Sequence, residues 1–352
     1  MAKAVIMAGG QGERFWPLTK PGYPKYRIRF EENLSLIQKT YQRLLKVYKP
    51  QNIFVVTTAS QAPIIRRELK SLRSSELLLE PFRNNTASAI LFACAELTRR
   101  FGPETVVSFF PADHLIRDTA AFARTLRGCI GLARAQKALF TVGIKPDFAS
   151  TAYGYIQTGS CVDRKRSAYQ VRRFVEKPDI ATARRYLKSG RFLWNGGIFT
   201  WRTGQFIEAM RLHSPRFFRA FDLRNLRRSY AGLPSISIDY ALLEKAGNLV
   251  VVAAEMDWCD IGGWEMFYQK SPKDARGNLL RGLIVQRDSQ GLVALNQTDR
   301  PLVCAGLSDI VVAATAEGLL VCRRELADSA ALLSKQLTAA ASKKTVIRRR
   351  VR

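Results

Sequence analysis

The chain has 352 residues, 47% of them apolar, enough for one large domain with a substantial core and a smaller companion. Lysine and arginine total 56 against 29 aspartate and glutamate, so the formal charge is +27 and anionic partners are expected. The composition excludes a largely disordered chain, and no apolar run approaches the roughly 18 residues of a membrane helix.

The charge belongs to the body of the chain. The last twelve residues carry six basic side chains and no acidic one, and removing them still leaves 27 − 6 = +21. Residues 1–8 are apolar, but Gly9-Gly10 follows at once, which does not read as a secretory leader. Six cysteines (Cys94, Cys129, Cys161, Cys259, Cys304 and Cys322) lack CxxC spacing, and only His114 and His213 accompany them. That pattern reads as reduced thiols in a cytoplasmic chain rather than a zinc site.

In chain order, residues 3–8 form a buried strand, and Leu34, Ile37, Tyr41, Leu44, Leu45 and Tyr48 recur at helical spacing. A strand at 53–58, a helix through Ile64, Ile65 and Leu69, and a short extended piece at 77–79 follow. Residues 85–100 read as an Ala-rich helix, 105–110 as strand, 120–135 as helix and 138–144 as strand. Continuous apolar strands alternating with helices predict an α/β fold: a Rossmann-like, doubly wound, mostly parallel sheet covered on both faces. Strands are expected at 153–158, 170–176, 198–201 and 249–254, with helices at 180–188 and from 202 to about 246. After Asp274-Ala275-Arg276-Gly277-Asn278 short Val- and Leu-rich strands alternate with turn signals, predicting a small β-domain and a helix at 325–337. The expected division is a catalytic domain at 1–276, a small C-terminal β-domain plus helix at 277–340, and a mobile basic tail at 341–352.

Several segments carry chemistry. The first strand runs into Ala8-Gly9-Gly10-Gln11-Gly12-Glu13-Arg14, where glycines allow close backbone approach and successive N–H groups can cradle phosphate. Arg14 and Lys25 lie close behind and can reach phosphate oxygens. Asp113 follows a strand, where ligands of open α/β sheets sit, and its carboxylate suits Mg²⁺ or caps a turn. A second carboxylate must share the ion, and Asp257 and Asp260 are both candidates. Asn84, Asn85 and Thr86 stand between a strand and a helix, either as caps or as readers of a base or ribose. Glu176-Lys177 offers a carboxylate for sugar hydroxyls and an ammonium for phosphate. Asn195 beside Gly196-Gly197, and Gly154 between two tyrosines, suit a carbohydrate.

Taken in order, AGGQGERFWPLT, PK, EPFRNNTASAI, FFPADHLI, YGYIQ, FVEKPD, WNGGIF, SIDYALLEK and WCDIGGW resemble the sugar-1-phosphate nucleotidyltransferase family, nearest its mannose-1-phosphate guanylyltransferase branch. The resemblance implies nucleotide contacts at Ala8, Gly9, Gly10, Gly12, Glu13, Asn85 and Thr86. It implies sugar-phosphate contacts at Gly154, Glu176, Lys177 and Asn195. It assigns catalytic roles to Arg14, Lys25, Asp113 and Asp260, the two aspartates holding Mg²⁺, and so selects Asp260 over Asp257. The implied reaction joins mannose 1-phosphate and GTP, giving GDP-mannose and pyrophosphate; the alternative is the same chemistry on another sugar 1-phosphate, such as a heptose, or another NTP. No nucleic-acid partner and no membrane insertion are implied. Short members of the family end in a small, left-handed β-helix-like domain, which fits residues 277 onward and is compatible with a homodimer. The chain departs from the family pattern at Tyr26, Asn84 and Ser88, and in WNGGIF and WCDIGGW, which bears on base and sugar selectivity.

Overall fold

A computed structural model gives the structure and describes residues 1–10, 12–20, 22–30, 33–330, 333 and 336. The chain forms two compact units. The first joins Met1–Gly9 to Ile37–Cys259; the second joins Gly10–Leu36 to the chain from Asp260 onward.

The strands are β1 (Lys3–Met7), β2 (Ile53–Thr58), β3 (Leu77–Glu80), β4 (Val106–Pro111), β5 (His114–Ile116), β6 (Leu139–Ile144), β7 (Tyr155–Asp163), β8 (Ala168–Val175), β9 (Phe192–Arg202), β10 (Leu249–Ala254) and β11 (Trp258–Asp260). β12 (Leu279–Arg281), β13 (Ile284–Arg287), β14 (Val293–Asn296), β15 (Leu302–Ala305), β16 (Ile310–Thr315) and β17 (Gly318–Arg323) complete the set.

The first unit is built on a nine-stranded sheet of order β3-β2-β1-β4-β9-β6-β10-β8-β7. The pairings set β1, β2, β3, β4, β6, β7 and β10 in one direction, with β8 and β9 against them. The expected mostly parallel α/β sheet is thus present. β2 is buried at every position, as a strand covered on both faces must be. Helices Ala62–Glu68 and Asn85–Phe101 supply two of the crossovers. Ala87, Ile90, Leu91, Cys94 and Leu97 of the longer helix share a core with Val5, Phe54, Val107, Phe206 and Met210. β1 carries β2 on one side and β4 on the other, so strand order reverses there and opens a crevice beyond their carboxyl ends. Met7 faces Pro111 across that point, and the Ala112 N–H donates to the Met7 carbonyl at 3.2 Å.

β9 departs from expectation. It begins at Phe192, not at 198, and carries Asn195-Gly196-Gly197 inside the sheet. In the sheet, a Cβ on Gly196 would lie 2.9 Å from the Val142 carbonyl oxygen, and Gly197 has φ +64°, so the glycines mark a close approach and a bulge.

In the second unit β12, β14 and β16 stack in parallel, Leu279 against Val293 and Val293 against Val311, and β13 pairs in parallel with β15. β17 folds back antiparallel on β16. Leu292, Ala294, Cys304 and Val312 fill this coil, matching the expected small β-region. Of the helix expected at 325–337, the structure shows a 3₁₀ segment over Arg324–Ser329. Most of its remainder, and the tail at 341–352, lie outside the described residues.

Trp201 is fully buried and stacks on Phe199 at 5.7 Å and on Phe206 at 4.8 Å. Trp201→Ala is expected to cost about 3–5 kcal/mol, read as a lower denaturation midpoint at unchanged slope.

Candidate functional site

In the first unit the end of β1 is fixed by its neighbour. The Ala8 N–H donates to the Val56 carbonyl at 3.0 Å, and the Thr57 hydroxyl donates to the Ala8 carbonyl at 2.7 Å. A Cβ on Gly9 would stand 3.6 Å from Glu80 Oε1. Glu80 closes β3 and its other oxygen accepts from the Tyr230 hydroxyl at 2.9 Å. Burial pushes the Glu80 carboxyl from 4.5 up to about 7, against the hydrogen bond from Tyr230 and the charge of Arg83.

Asn84 precedes the helix Asn85–Phe101 without capping it by its side chain; its amide donates instead to the Leu233 carbonyl at 3.1 Å. Asn85 has φ +48° and accepts the Thr86 N–H at 2.8 Å, while the Thr86 hydroxyl accepts the Ile238 N–H at 2.9 Å. Asp113 lies in the turn after β4 at the same crevice and is half-buried. The adjacent His114 ring accepts from Trp258 Nε1 at 3.1 Å. Asp257, the rival of Asp260 in sequence, pairs with Arg117 at 3.3 Å.

The four residues expected to hold the sugar phosphate come together in this unit. A Cβ on Gly154 would lie 2.5 Å from Glu176 Oε2 and 3.4 Å from the Asn195 Cβ, so a side chain there would fill the space they share. The Gly154 carbonyl accepts the Asn195 N–H at 2.8 Å, and Lys177 Nζ pairs with Glu176 at 2.9 Å. Asn195 is locked in orientation: its amide oxygen accepts from Thr141 Oγ1 at 3.1 Å and the Gly197 N–H at 3.2 Å, and its nitrogen donates to Asp239 at 3.0 Å. Burial, and next the charge of Glu176, push the Asp239 carboxyl up to about 6. Burial pulls the Lys177 ammonium down, but the Glu176 hydrogen bond and charge, with Asp239 and Tyr240, outweigh it and raise the group. Glu80 and Asp239 are the acids that sequence reading left outside the site. The only local signal for Asp239 is a single acid inside the apolar run Ile238–Leu243.

In the second unit Gly12 is left-handed at φ +69°, and a Cβ there would collide with Lys25. The Thr19 hydroxyl donates to the Gly12 carbonyl at 2.7 Å. Gly10 has open space where a side chain would stand, and Glu13 and Arg14 are exposed; Gln11 lies outside the described residues. Arg14 reaches the Gly262 carbonyl at 3.4 Å. Lys25 Nζ pairs with Asp260 Oδ1 at 2.9 Å, its side chain 10% exposed against 34% for Asp260. Phe15 packs on Trp264 at 5.7 Å and Phe267 at 6.0 Å, which anchors the loop. Among the described residues no three His, Cys, Asp or Glu side chains cluster as a self-contained metal site. No helix among them is long and apolar enough to cross a membrane.

Residues 3–277 match the family described as nucleotidyl transferase. The chain is 34% identical over 342 residues to a mannose-1-phosphate guanylyltransferase of Escherichia coli, covering 92% of this chain and 71% of that protein. It is 36% identical over 335 residues to the xanthan biosynthesis protein XanB of Xanthomonas campestris, covering 91% and 70%. Among solved structures, one described as a mannose-1-phosphate geranyltransferase from Thermus thermophilus superposes with a TM-score of 0.85 at 32% identity, covering 96% of this chain and 99% of that one.

The sign of the Glu80 effect on stability follows from its shift. Because the folded state holds its proton up to about pH 7 and the unfolded chain releases it near 4.5, stability falls as pH rises through that window. Glu80→Gln removes the cost. It is expected to be more stable than the parent at pH 8 by up to about 3 kcal/mol, and the gain is expected to vanish near pH 4, read from melting curves at both values.

Proposed function

Because the chain belongs to the nucleotidyl transferase family, we propose that it joins mannose 1-phosphate and GTP to give GDP-mannose and pyrophosphate. The observation that carries this reading is the cluster of Gly154, Glu176, Lys177 and Asn195, with a glycine that must stay bare, an oriented amide, a carboxylate and an ammonium. Such a set suits a polyhydroxylated ring bearing a phosphate. The family match to residues 3–277 supports taking 1–276 as the catalytic domain and 277–340 as an accessory one. The free cysteines support a cytoplasmic setting, where thiols stay reduced.

The phosphate oxygen of mannose 1-phosphate attacks the α-phosphorus of GTP in line, and the bond to pyrophosphate breaks. The nucleophile is already an anion at neutral pH, so no side chain need remove a proton. The protein's task is to position two polyanions and offset their repulsion. Gly9, Gly10 and Gly12 keep the loop open to the triphosphate, with Ala8 and Glu13 beside them, and Arg14 stabilises the leaving pyrophosphate. Lys25 stabilises charge on the transferring phosphorus, and Lys177 orients the incoming phosphate. Glu176 and Asn195 hold sugar hydroxyls, while Asn85 and Thr86 contact the nucleotide through the groups that their own local hydrogen bonds leave over.

The donor set fits Mg²⁺. This ion takes one or two carboxylates and completes its shell with phosphate oxygens and water, so no cluster of three protein acids is required. Asp260 is one-third exposed and its Oδ1 meets Lys25. Asp113 and Asp260 are the residues that would hold it, and when bound it would offset charge on the α-phosphate.

Pyrophosphate release over a grid of sugar 1-phosphates and NTPs tests the reading, with mannose 1-phosphate and GTP expected as the best pair. A different best pair would replace it. Lys25→Ala and Asp260→Asn are each expected to lower turnover by about 10²–10³ while circular dichroism stays unchanged, and near-parental rates would overturn the assignment. Chelation is expected to abolish activity and added Mg²⁺ to restore it.

A further inference from the structure

Asp113 lies in the short turn between β4 and β5, and the carbonyls on both sides of it are held from one place. Thr40 and Arg43 stand one turn apart on the helix Leu36–Leu44 and are 1% and 4% exposed. The Thr40 hydroxyl donates to the Ala112 carbonyl at 3.4 Å. Arg43 donates to the His114 carbonyl at 3.3 Å and to the Ile116 carbonyl at 3.4 Å. The two side chains are themselves joined, Arg43 donating to Thr40 Oγ1 at 3.0 Å. A guanidinium only donates, so that bond leaves the hydroxyl proton for Ala112. Burial pulls the Arg43 guanidinium down from 12.5 to about 10. No carboxylate among the described residues offsets its charge, and its Nε is buried without an acceptor. Its remaining neighbour is the Phe122 ring, 5.3 Å away, which packs in turn on Phe110 of β4 at 5.9 Å. The fork of this arginine is thus spent on backbone: carbonyls at alternate residues of one extended segment point the same way, and it meets two of them.

We propose that Thr40 and Arg43 are positioning residues that aim the Asp113 carboxylate and so set how tightly the site holds a divalent cation. The proposal rests on the reading of Asp113 as a metal ligand given above. The residues before and after Asp113 are both clamped to the helix, and the Ala112 N–H is fixed to Met7 on the side of β1. The carboxylate then has little more than its own side-chain torsions to settle when a cation arrives. Loosening either clamp returns backbone freedom that cation binding must remove again, which weakens binding without touching the ligand atoms.

The test titrates Mn²⁺, as a probe for the site, into the whole protein with saturating GDP-mannose, which supplies phosphate oxygens without turnover. Bound and free Mn²⁺ are told apart by electron paramagnetic resonance. Thr40→Val keeps the shape and removes the hydroxyl, Thr40→Ser keeps the hydroxyl, and Arg43→Met keeps the length without donors. Thr40→Val and Arg43→Met are each expected to weaken Mn²⁺ binding by about ten- to thirtyfold, with Thr40→Ser within about twofold of the parent. Turnover lost by Thr40→Val should return as Mg²⁺ is raised, and the KM for mannose 1-phosphate should stay within about twofold. In an Asp113→Asn background Arg43→Met should change Mn²⁺ affinity by less than about twofold, because its effect runs through that carboxylate. Parental affinity in Thr40→Val, equal losses in Thr40→Ser and Thr40→Val, or an Arg43→Met effect of the same size in both backgrounds would overturn the proposal and leave the metal site standing. Asp113→Asn binding Mn²⁺ as tightly as the parent would overturn the metal reading itself. Melting curves confirm that each variant is folded, and the isosteric Thr40→Val carries the test should Arg43→Met fail to fold.

Discussion

Withdrawing a lysine ammonium from water is costly, and in the second unit an aspartate of opposite charge offsets that cost. Lys25 is nearly buried against Gly12, whose left-handed backbone leaves no room for a side chain, and it ends on Asp260. Asp260 comes from the far end of the chain, so residues 10–36 and those from 260 onward must fold together for the pair to form. Phe15 against Trp264 and Phe267 supplies the apolar part of the same association. The outcome is a cation held at a fixed point beside a glycine turn.

The first unit shows the opposite situation, acids held where water cannot reach them. Burial raises the carboxyls of both Glu80 and Asp239; the Tyr230 hydroxyl meets the first and the Asn195 amide the second. In each case burial disfavours the charged form. Asp239 acts at one remove: with Thr141 and the Gly197 N–H it decides which way the Asn195 amide points.

Much of the sheet was legible because buried parallel strands are continuous apolar runs, and β1, β2, β4, β6 and β10 all have that form. β9 was read short, from 198; its glycines, read as room for a carbohydrate, lie inside the strand and serve packing against β6. The segment Asp239–Leu243 is a π-helical turn, a geometry without a periodic signature of its own. Within the site, Gly154, Glu176, Lys177 and Asn195 could be picked out by motif. The spatial reason Gly154 is glycine appears only when Glu176, from another strand end, is seen beside it.

The sequence by itself determined the α/β class, the alternation of strands and helices and the surplus of positive charge. These are local properties, set by hydrophobic period, turn residues and residue type. Tertiary structure alone decided that Lys25 meets Asp260, that Glu80 is half satisfied by a tyrosine 150 residues away, and that Asn84 ties down a distant carbonyl rather than capping its own helix. The physical reason is desolvation: whether a polar group is costly, committed or available depends on what segments remote in the chain bring around it, and no local pattern records that.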